Sequence, residues 1–226
     1  MRLIALSAIA ATMCLGTALA QMMPPVDEEA TIGEQWDQRY GMDRYIYGTE
    51  PVEFLVDQIN RLPRGRALCL AAGEGRNAVW LAQQGYEVTA MDASPVGLAK
   101  ATALAELRGV VIETSVGDLS GSYDMGVEQY DVITNFYYHD TSMIPAVMRA
   151  LKPGGVFILQ NFSIAQLDTN QFGPSNPDFL VKPNELLQHF EDYRVLYYED
   201  TVVELDEGMH QGPGAVVRLI VANESP

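Results

Sequence analysis

A turn with two glycines, Gly73-Glu74-Gly75, lies between an apolar run and an amphipathic run of the chain. Because glycine has no Cβ, a ligand can approach the backbone closely at such a turn. The helix that begins there leaves free N–H groups, which can bind a carboxylate or a phosphate. By itself the turn is a weak signal, since glycine turns of this kind also serve only to join a strand tightly to a helix.

Two acidic residues strengthen the signal, because each follows a predicted strand. Asp92 ends the next strand, where a carboxylate can accept hydrogen bonds from both hydroxyls of a ribose. Asp118, in the run VGD, follows the third strand and can accept from an adenine amino group. A lone aspartate after a strand is more often a turn residue. Three such features at successive strand ends converge on the ligand crevice of an open α/β sheet and predict an adenosine-containing ligand.

The elements that would position these residues follow from the hydrophobic pattern after Gly65. Buried runs alternate with amphipathic ones, which is typical of a doubly wound, mostly parallel sheet. Strands are predicted at 66–71, 87–91, 110–116, 130–136 and 155–161, and helices at 75–84, 95–108, 142–151 and 183–190. Two long runs with no helix between them, 193–205 and 214–222, must form an antiparallel hairpin. The predicted fold class is α/β, with a seven-stranded sheet that ends in this hairpin.

The first twenty residues have the pattern of a secretory signal peptide. A basic residue and an apolar run precede Ala18-Leu19-Ala20, so cleavage is predicted before Gln21. The apolar run is short for a spanning helix and lacks a basic flank, so we expect no stable membrane anchor after cleavage. The mature protein would be periplasmic or secreted. If translation starts at Met22 or Met23 instead, the protein would be cytoplasmic.

Beyond the signal, residues 21–30 are predicted to be a flexible linker and residues 31–226 a single domain. Residues 31–62 form a cap segment, in which a helix at 53–61 follows a stretch that is mostly loop. With 14 Lys and Arg against 30 Asp and Glu, the net charge is −16, so nucleic acid is not an expected partner. After cleavage Cys69 is the only cysteine, and no Cys/His cluster has zinc spacing, so no metal is expected. Oligomeric state leaves no signal in the sequence.

Several of these motifs together resemble class I S-adenosylmethionine-dependent methyltransferases. The resemblance is carried by residues 65–99, by GD at 117–118, and by the runs YDVITNFYYH and LKPGGVFILQ. The runs EQWDQRYGMDRYIYGTEP and CLAAGEGRNAVWLA are similar to the bacterial subgroup related to tellurite-resistance and thiopurine methyltransferases. The resemblance covers roughly Trp36 to the end. It implies S-adenosylmethionine as cofactor and methyl transfer to a small-molecule acceptor.

The resemblance also implies a set of cofactor-binding residues. They are Ala71, Gly73, Gly75, Asn77, Asp92, Ala93, Asp118, Leu119 and Asn135. The two glycines would face the methionine end, Asp92 and Ala93 the ribose, and Asp118 with Leu119 the adenine. Asn135 would border the methyl-transfer face. This chain departs from the family pattern, which commonly has an acidic residue where Cys69 stands and a glycine where Ala71 stands; Glu74 is a candidate to compensate.

Methyl transfer from a sulfonium requires alignment and exclusion of water more than a fixed nucleophile. Of the three histidines, His139 is the best-placed candidate base, and the alternative is a loop histidine bonded to backbone. Tyr138 is a candidate for the acceptor pocket, and His210 is expected to be structural or at the rim. Tyr40 and Tyr47 are predicted to form a lid, since aromatic faces suit a sulfonium, although aromatics here also pack a leading segment onto a sheet.

Two other functions remain open. A nicotinamide-dependent oxidoreductase also fits Gly73, Gly75, Ala78 and Asp92, but this chain lacks a substrate domain and a sixth parallel strand. A non-catalytic binding protein with a methyltransferase fold is the second alternative. It is motivated by Cys69 and by the export signal, because the cofactor is made in the cytosol.

Overall fold

One seven-stranded sheet organises the chain, in the strand order β3-β2-β1-β4-β5-β7-β6. The strands are β1 Arg66–Leu70, β2 Glu87–Asp92, β3 Glu113–Val116, β4 Tyr130–Phe136, β5 Leu151–Phe162, β6 Arg194–Glu207 and β7 His210–Ala222. The neighbours among β1 to β5 are parallel, whereas β7 is antiparallel to both β5 and β6. The predicted α/β sheet with a C-terminal antiparallel hairpin is therefore confirmed.

Six α-helices accompany the sheet in the part of the chain that the computed structural model describes, which is residues 27, 29–120, 123–169 and 172–224. They are α1 Ile32–Tyr40, α2 Glu53–Gln58, α3 Arg76–Gln83, α4 Pro95–Leu107, α5 Ile144–Ala150 and α6 Glu185–His189. Short 3₁₀ segments lie at Ile59–Arg61, Thr141–Met143, Ile164–Asp168 and Pro177–Phe179. The predicted signal peptide and most of the predicted linker lie outside the described residues. Within those residues, no helix has the length and apolar character needed to cross a membrane.

The cap segment differs from its prediction, because residues 32–40 form helix α1 and not a loop. A reciprocal capping box begins this helix: the Thr31 hydroxyl accepts from the Glu34 N–H, and the Glu34 carboxylate accepts from the Thr31 N–H at 2.9 Å. Asp37 then accepts hydrogen bonds from the Ser94 hydroxyl and from the Val96 N–H, at the start of α4. Helix α1 therefore lies against the first turn of α4, next to the end of β2.

Two element boundaries also differ from the pattern. The third strand begins only at Glu113, and the residues just before it are outside the ladder. Leu151, predicted to end a helix, already pairs with Tyr130, and the register then shifts so that Val132 pairs with Val156. The LKPGG turn is therefore an irregularity within β5.

The core lies on both faces of the sheet. Leu68, Ile133 and Phe157 face helices α5 and α6, whereas the alternate residues of the same strands face α2 and α3. Strands covered on both faces are apolar almost throughout, which explains why their sequences read as continuous hydrophobic runs. Because β1, β2, β4 and β5 are parallel, their carboxyl ends meet at one edge. The tip of the β6–β7 hairpin projects past that edge, since Phe162 at the end of β5 already pairs with Val216.

Candidate functional site

The turn after β1 has a backbone that favours glycine, with φ of +53° at Gly73 and +87° at Gly75. A Cβ on Gly75 would overlap Ala101, so this glycine allows α3 to pack closely on α4. A Cβ on Gly73 would lie 2.7 Å from the hydroxyl oxygen of Tyr40. The second glycine of the motif is therefore required by the fold itself, and the first allows the cap to rest directly on the turn.

Asp92 holds this turn from the end of β2. Its carboxylate accepts from the Gly73 N–H at 2.7 Å and from the Ser94 N–H at 2.9 Å. Burial raises the pKa of Asp92 above its usual value, although these backbone hydrogen bonds oppose the shift. A carboxylate has room for further donors, so the predicted ribose contact is compatible with this geometry. Ala93 lies under the cap, because a Cβ on Gly33 of α1 would lie 2.6 Å from its carbonyl oxygen.

The predicted adenine residues, Asp118 and Leu119, follow β3. The Asp118 carboxylate is exposed and accepts from both the N–H and the hydroxyl of Ser120, which makes it a turn residue in this structure. Leu119 is buried and lines an open groove of about 450 Å³ together with Tyr123 and Met143. The groove lies beside the carboxyl end of the sheet, and the adenine contact stays a prediction.

Glu74 does not compensate for the acidic residue that the chain lacks at Cys69. Its buried carboxylate is 2.5 Å from the Lys100 ammonium and accepts from the Ile46 N–H at 2.7 Å, so it is committed to the cap. The Cys69 side chain is buried in the core among β1, β2 and β4, and burial raises its pKa to about 12. It is therefore an uncharged core residue at neutral pH.

Ala71 occupies a conformation that glycine adopts without strain, with φ of +47°. An alanine there costs about 1–2 kcal/mol, whereas glycine loses about 0.5–1 kcal/mol in chain entropy. We expect Ala71→Gly to raise the free energy of unfolding by about 0.5–1 kcal/mol, measured by urea titration. Ala72→Gly is the control. Because Ala72 is not among the described residues with positive φ, this variant should lose stability. Equal losses in both variants would contradict the strain at position 71.

Asn135 is buried at the end of β4, and only the nitrogen of its side-chain amide has a hydrogen-bond partner among the described residues. Its Nδ2 donates to the Tyr138 carbonyl at 2.8 Å, while its Oδ1 has no partner. Asn161 Oδ1, Ser163 Oγ and His210 Nδ1 are also buried without a partner among the described residues. Buried polar groups are normally hydrogen-bonded, so these four groups are candidates to bind a ligand at the carboxyl edge of the sheet. Sequence reasoning missed Asn161 and Ser163, whose only signal is a polar pair at the end of a buried strand.

The side chains of the two tyrosines after β4, Tyr137 and Tyr138, pack on opposite faces of the sheet. Tyr138 packs on the core face that carries α5, and its pKa is raised by burial and by the nearby Asp140 and Asp118. Tyr137, at φ +64°, packs on the opposite face with Phe162. Tyr138 thus lies towards Asp118, and its predicted place in the acceptor pocket stays a prediction.

His139, the predicted base, lies between β4 and α5 with its Nε2 3.6 Å from a Glu185 carboxylate oxygen of α6. Burial lowers its pKa, although Glu185 opposes this shift. The contact is with a side chain, and the alternative interpretation of His139 as a loop histidine bonded to backbone stays a prediction. Its role as a base stays a prediction.

The predicted lid residues contact different parts of the site. Tyr40 is 5% exposed, stacks on Trp36 with ring centroids 5.2 Å apart, and rests on Gly73. Tyr47 faces the hairpin tip, with its ring centroid 5.0 Å from that of His210. Both therefore lie over the carboxyl edge of the sheet, as a lid would. Asn77 ties the cap to α3, because its Oδ1 accepts from the Val52 N–H at 2.9 Å.

Polar contacts close the cap on three sides. The Lys100 ammonium donates to the carbonyls of Tyr40, Met42 and Arg44 at 2.7–3.0 Å. On the hairpin side, the Met209 N–H donates to the Ile46 carbonyl at 3.1 Å. A further cluster is buried between them: the Arg76 guanidinium donates to the Tyr47 carbonyl at 3.0 Å and pairs with the Glu207 carboxylate at 3.1 Å. In residues 29–120, 123–169 and 172–224, no group of three His, Cys, Asp or Glu could hold a metal ion.

The burial of His210 predicts a loss of stability in acid. Burial, and secondarily the charge of Arg76, lower its pKa to about 3, so between pH 6.5 and 3 the unfolded chain binds a proton that the folded chain does not. The contribution of His210 to the free energy of unfolding therefore falls as the pH falls below 6.5, by about 2 kcal/mol at pH 5. We expect His210→Phe to lose less stability than the wild type between pH 7 and pH 5 in urea titrations. Parallel losses in the two proteins would contradict the prediction.

Comparisons with known proteins agree with this geometry. A probable S-adenosyl-L-methionine-dependent methyltransferase TehB of Haemophilus influenzae is 25% identical over 162 residues, which is 70% of this chain and 56% of that protein. An uncharacterized methyltransferase of Synechocystis is 35% identical over 104 residues, 43% of this chain and 47% of that protein. This chain therefore spans about half the length of the curated relatives it matches.

Solved structures share the fold. The crystal structure of TehB from Haemophilus influenzae has a TM-score of 0.62 at 20% identity, covering 84% of this chain and 66% of that one. A SAM-dependent methyltransferase from Methanosarcina mazei has a TM-score of 0.59 at 18% identity, covering 78% and 100%. The sheet is thus the Rossmann-like sheet of these methyltransferases. The family profile described as tellurite resistance protein TehB matches residues 36–222, which is most of this chain. The chain therefore belongs to the TehB family.

Proposed function

We propose that the protein transfers the methyl group of S-adenosylmethionine to a small-molecule acceptor by in-line displacement. The observation that carries the proposal is the edge at which the glycine turn, Asp92 and the unpaired Asn135 Oδ1 meet beneath an aromatic cap. The names of the relatives as S-adenosyl-L-methionine-dependent methyltransferases support it. The nicotinamide alternative is less well supported, because the antiparallel β7 takes the place beside β5 where a sixth parallel strand would lie.

The residues at this edge suit the proposed cofactor, which supplies a methyl group already activated on a sulfonium. Asp92 would accept hydrogen bonds from the ribose hydroxyls, and the methionine end would face Gly73, on which the Tyr40 ring rests in this structure. Asn135 offers a buried carbonyl oxygen for a donor at the methyl-transfer face. The rings of Tyr40 and Tyr47 cover the edge and exclude water, which favours displacement by the acceptor over hydrolysis. His139 is the candidate base.

Calorimetry with S-adenosylhomocysteine, the demethylated product, tests the cofactor site. We expect the wild type to bind it, and we expect Asp92→Asn to weaken binding about 10-fold or more, since an amide accepts fewer ribose hydrogen bonds. Asp57→Asn, on the exposed side of α2, is the matched control and should bind like the wild type. Absence of heat and of a thermal shift at millimolar ligand would overturn the proposal.

Transfer of a labelled methyl group to a pool of small molecules from a cell extract tests catalysis. Labelled low-molecular-weight product supports the proposal. Cofactor binding without any product would favour instead the non-catalytic binding protein.

We also propose that the chain is exported through its N-terminal signal. Gln21 should be the first residue of the protein isolated from the periplasm or the medium. An intact N-terminus on cytosolic protein would contradict export.

A further inference from the structure

Arg39, near the end of α1, has no carboxylate partner among the described residues. Its guanidinium carbon lies 4.5 Å from the centroid of the Trp36 ring, and its Nε is buried without a hydrogen-bond partner in that part of the chain. A buried N–H of this kind is uncommon, because it has lost its hydrogen bond to water without replacement. The residue as a whole is only partly buried, so a ligand can approach it from outside the cap.

Helix α1 turns Arg39 away from α4 and towards the hairpin. Asp37 of the same helix bonds to the start of α4, and residues two positions apart in a helix point about 160° apart. Burial raises the pKa of the Tyr47 hydroxyl, and the charge of Arg39 is the largest effect that opposes this shift. The Tyr47 ring in turn lies 5.0 Å from that of His210 in the hairpin, measured between ring centroids. Arg39 therefore lies on the side of the cap that faces the hairpin.

The other two cations at the glycine turn are paired within the protein. Lys100 pairs with Glu74 of the turn at 2.5 Å, and Arg76, the first residue of α3, pairs with Glu207 at 3.1 Å. Both pairs are mostly buried, so neither cation can leave its partner without leaving a buried charge behind. Arg39 is therefore the cation beside this turn that an anionic ligand can reach without breaking a described ion pair. An anion at this edge needs such a cation, because the net charge of −16 otherwise repels it.

We propose that Arg39 binds the carboxylate at the methionine end of the cofactor. This inference rests on the proposed function and assigns a binding residue for a group that Asp92 and the glycine turn leave without a charged partner. The Nε–H and one terminal N–H of an arginine fit a carboxylate through two parallel hydrogen bonds, and the contact with the Trp36 ring limits the directions that the guanidinium can take. Arg39 directly precedes Tyr40, whose ring rests on Gly73. The turn of helix that would cover this end of the ligand thus also supplies the cation.

Calorimetry with two ligands tests the assignment. One is S-adenosylhomocysteine, and the other is its decarboxylated form, which keeps the adenosine and the amine but lacks the carboxylate. We expect Arg39→Met to weaken binding of S-adenosylhomocysteine about 10- to 100-fold, because a charged, hydrogen-bonded pair is lost. Binding of the decarboxylated form should not weaken. Methionine keeps an apolar contact with Trp36, so the cap should retain its position.

Arg44→Met is the matched control within the cap. Arg44 also has a buried Nε without a partner among the described residues, but its charge is not among the described charges that influence the pKa of Tyr40 or Tyr47. The variant keeps the backbone carbonyl that Lys100 contacts, and it should bind both ligands as the wild type does. Arg39→Lys keeps the charge but not the paired hydrogen bonds, so it should weaken binding of S-adenosylhomocysteine about 3- to 10-fold.

Equal weakening of the two ligands in Arg39→Met would overturn the inference, because Arg39 would then only position the cap. Unchanged affinity for S-adenosylhomocysteine, or the same selective loss in Arg44→Met, would overturn it as well. The thermal midpoint of each ligand-free variant shows whether it is folded, and if Arg39→Met is not, Arg39→Lys provides the comparison. Asp92→Asn, in contrast, should weaken both ligands alike, since they share the ribose. Wild-type protein that binds neither ligand would instead overturn the proposed function.

Discussion

Replacing Arg76 with methionine is expected to lower the free energy of unfolding by about 3–5 kcal/mol, because the Glu207 carboxylate is left buried without its partner. The two residues are 7% and 8% exposed, and their charged atoms are 3.1 Å apart. Urea titration measures the loss. The double variant R76M/E207L, which removes both charges, should recover much of it, and the double-mutant cycle yields the coupling energy.

An exposed ion pair of similar geometry provides the control. Arg108 and Glu50 are 2.6 Å apart, but the Glu50 side chain is 78% exposed. Arg108→Met should therefore cost less than about 1 kcal/mol. Similar losses for Arg76→Met and Arg108→Met would contradict the importance of burial at the hairpin tip.

Lys100→Met is expected to release the cap and to lower the free energy of unfolding by about 3 kcal/mol. The variant removes four contacts at once, to the Glu74 carboxylate and to three cap carbonyls, and leaves Glu74 buried with only backbone donors. Hydrogen exchange should rise in residues 40–47 well before it rises in the sheet. Affinity for S-adenosylhomocysteine should fall as well, since the proposed site lies beneath the cap.

Lys152→Met is the control for this prediction. Lys152 pairs with Asp131 at 2.7 Å, but its side chain is 39% exposed and the pair lies at the opposite ends of β4 and β5 from the cap. We expect a loss under about 1 kcal/mol and unchanged exchange in the cap. Uniformly faster exchange in Lys100→Met would mean that the cap is part of one cooperative unit with the sheet.

The sheet could be predicted from the sequence because its strands and helices are defined by local patterns. Strand β4 has the predicted bounds, and α4 ends within one residue of its prediction, since Ser94 and Pro95 mark its start and Gly109 its end. The prediction of a loop at helix α1 was wrong although Thr31 and Glu34 form a capping box, because few of its residues are apolar and only Tyr40 is buried. A helix that packs through so few residues does not give the hydrophobic periodicity from which helices are predicted.

The site was predicted less completely, because its polar residues meet through the tertiary fold. Arg76 and Glu207 pair across 131 positions of sequence, and no local pattern relates them. Glu74 lies within the glycine motif and was interpreted as a ligand residue, but the direction of its side chain places it against Lys100. His210 reads as a turn residue in sequence and becomes a central buried group only when four rings from distant segments surround it.

The hydrogen bond from Met209 to Ile46 joins an early part of the chain to a late one. During synthesis the parallel strands β1 to β5 can pair while the cap still lacks this contact and the one between Arg76 and Glu207. Glu74 and Arg76 can hold residues 46 and 47 early, but the contacts of this loop with the hairpin form only after residue 210 has left the ribosome, at a greater cost in loop closure. The hairpin side of the cap is therefore the last part of the candidate site to be completed.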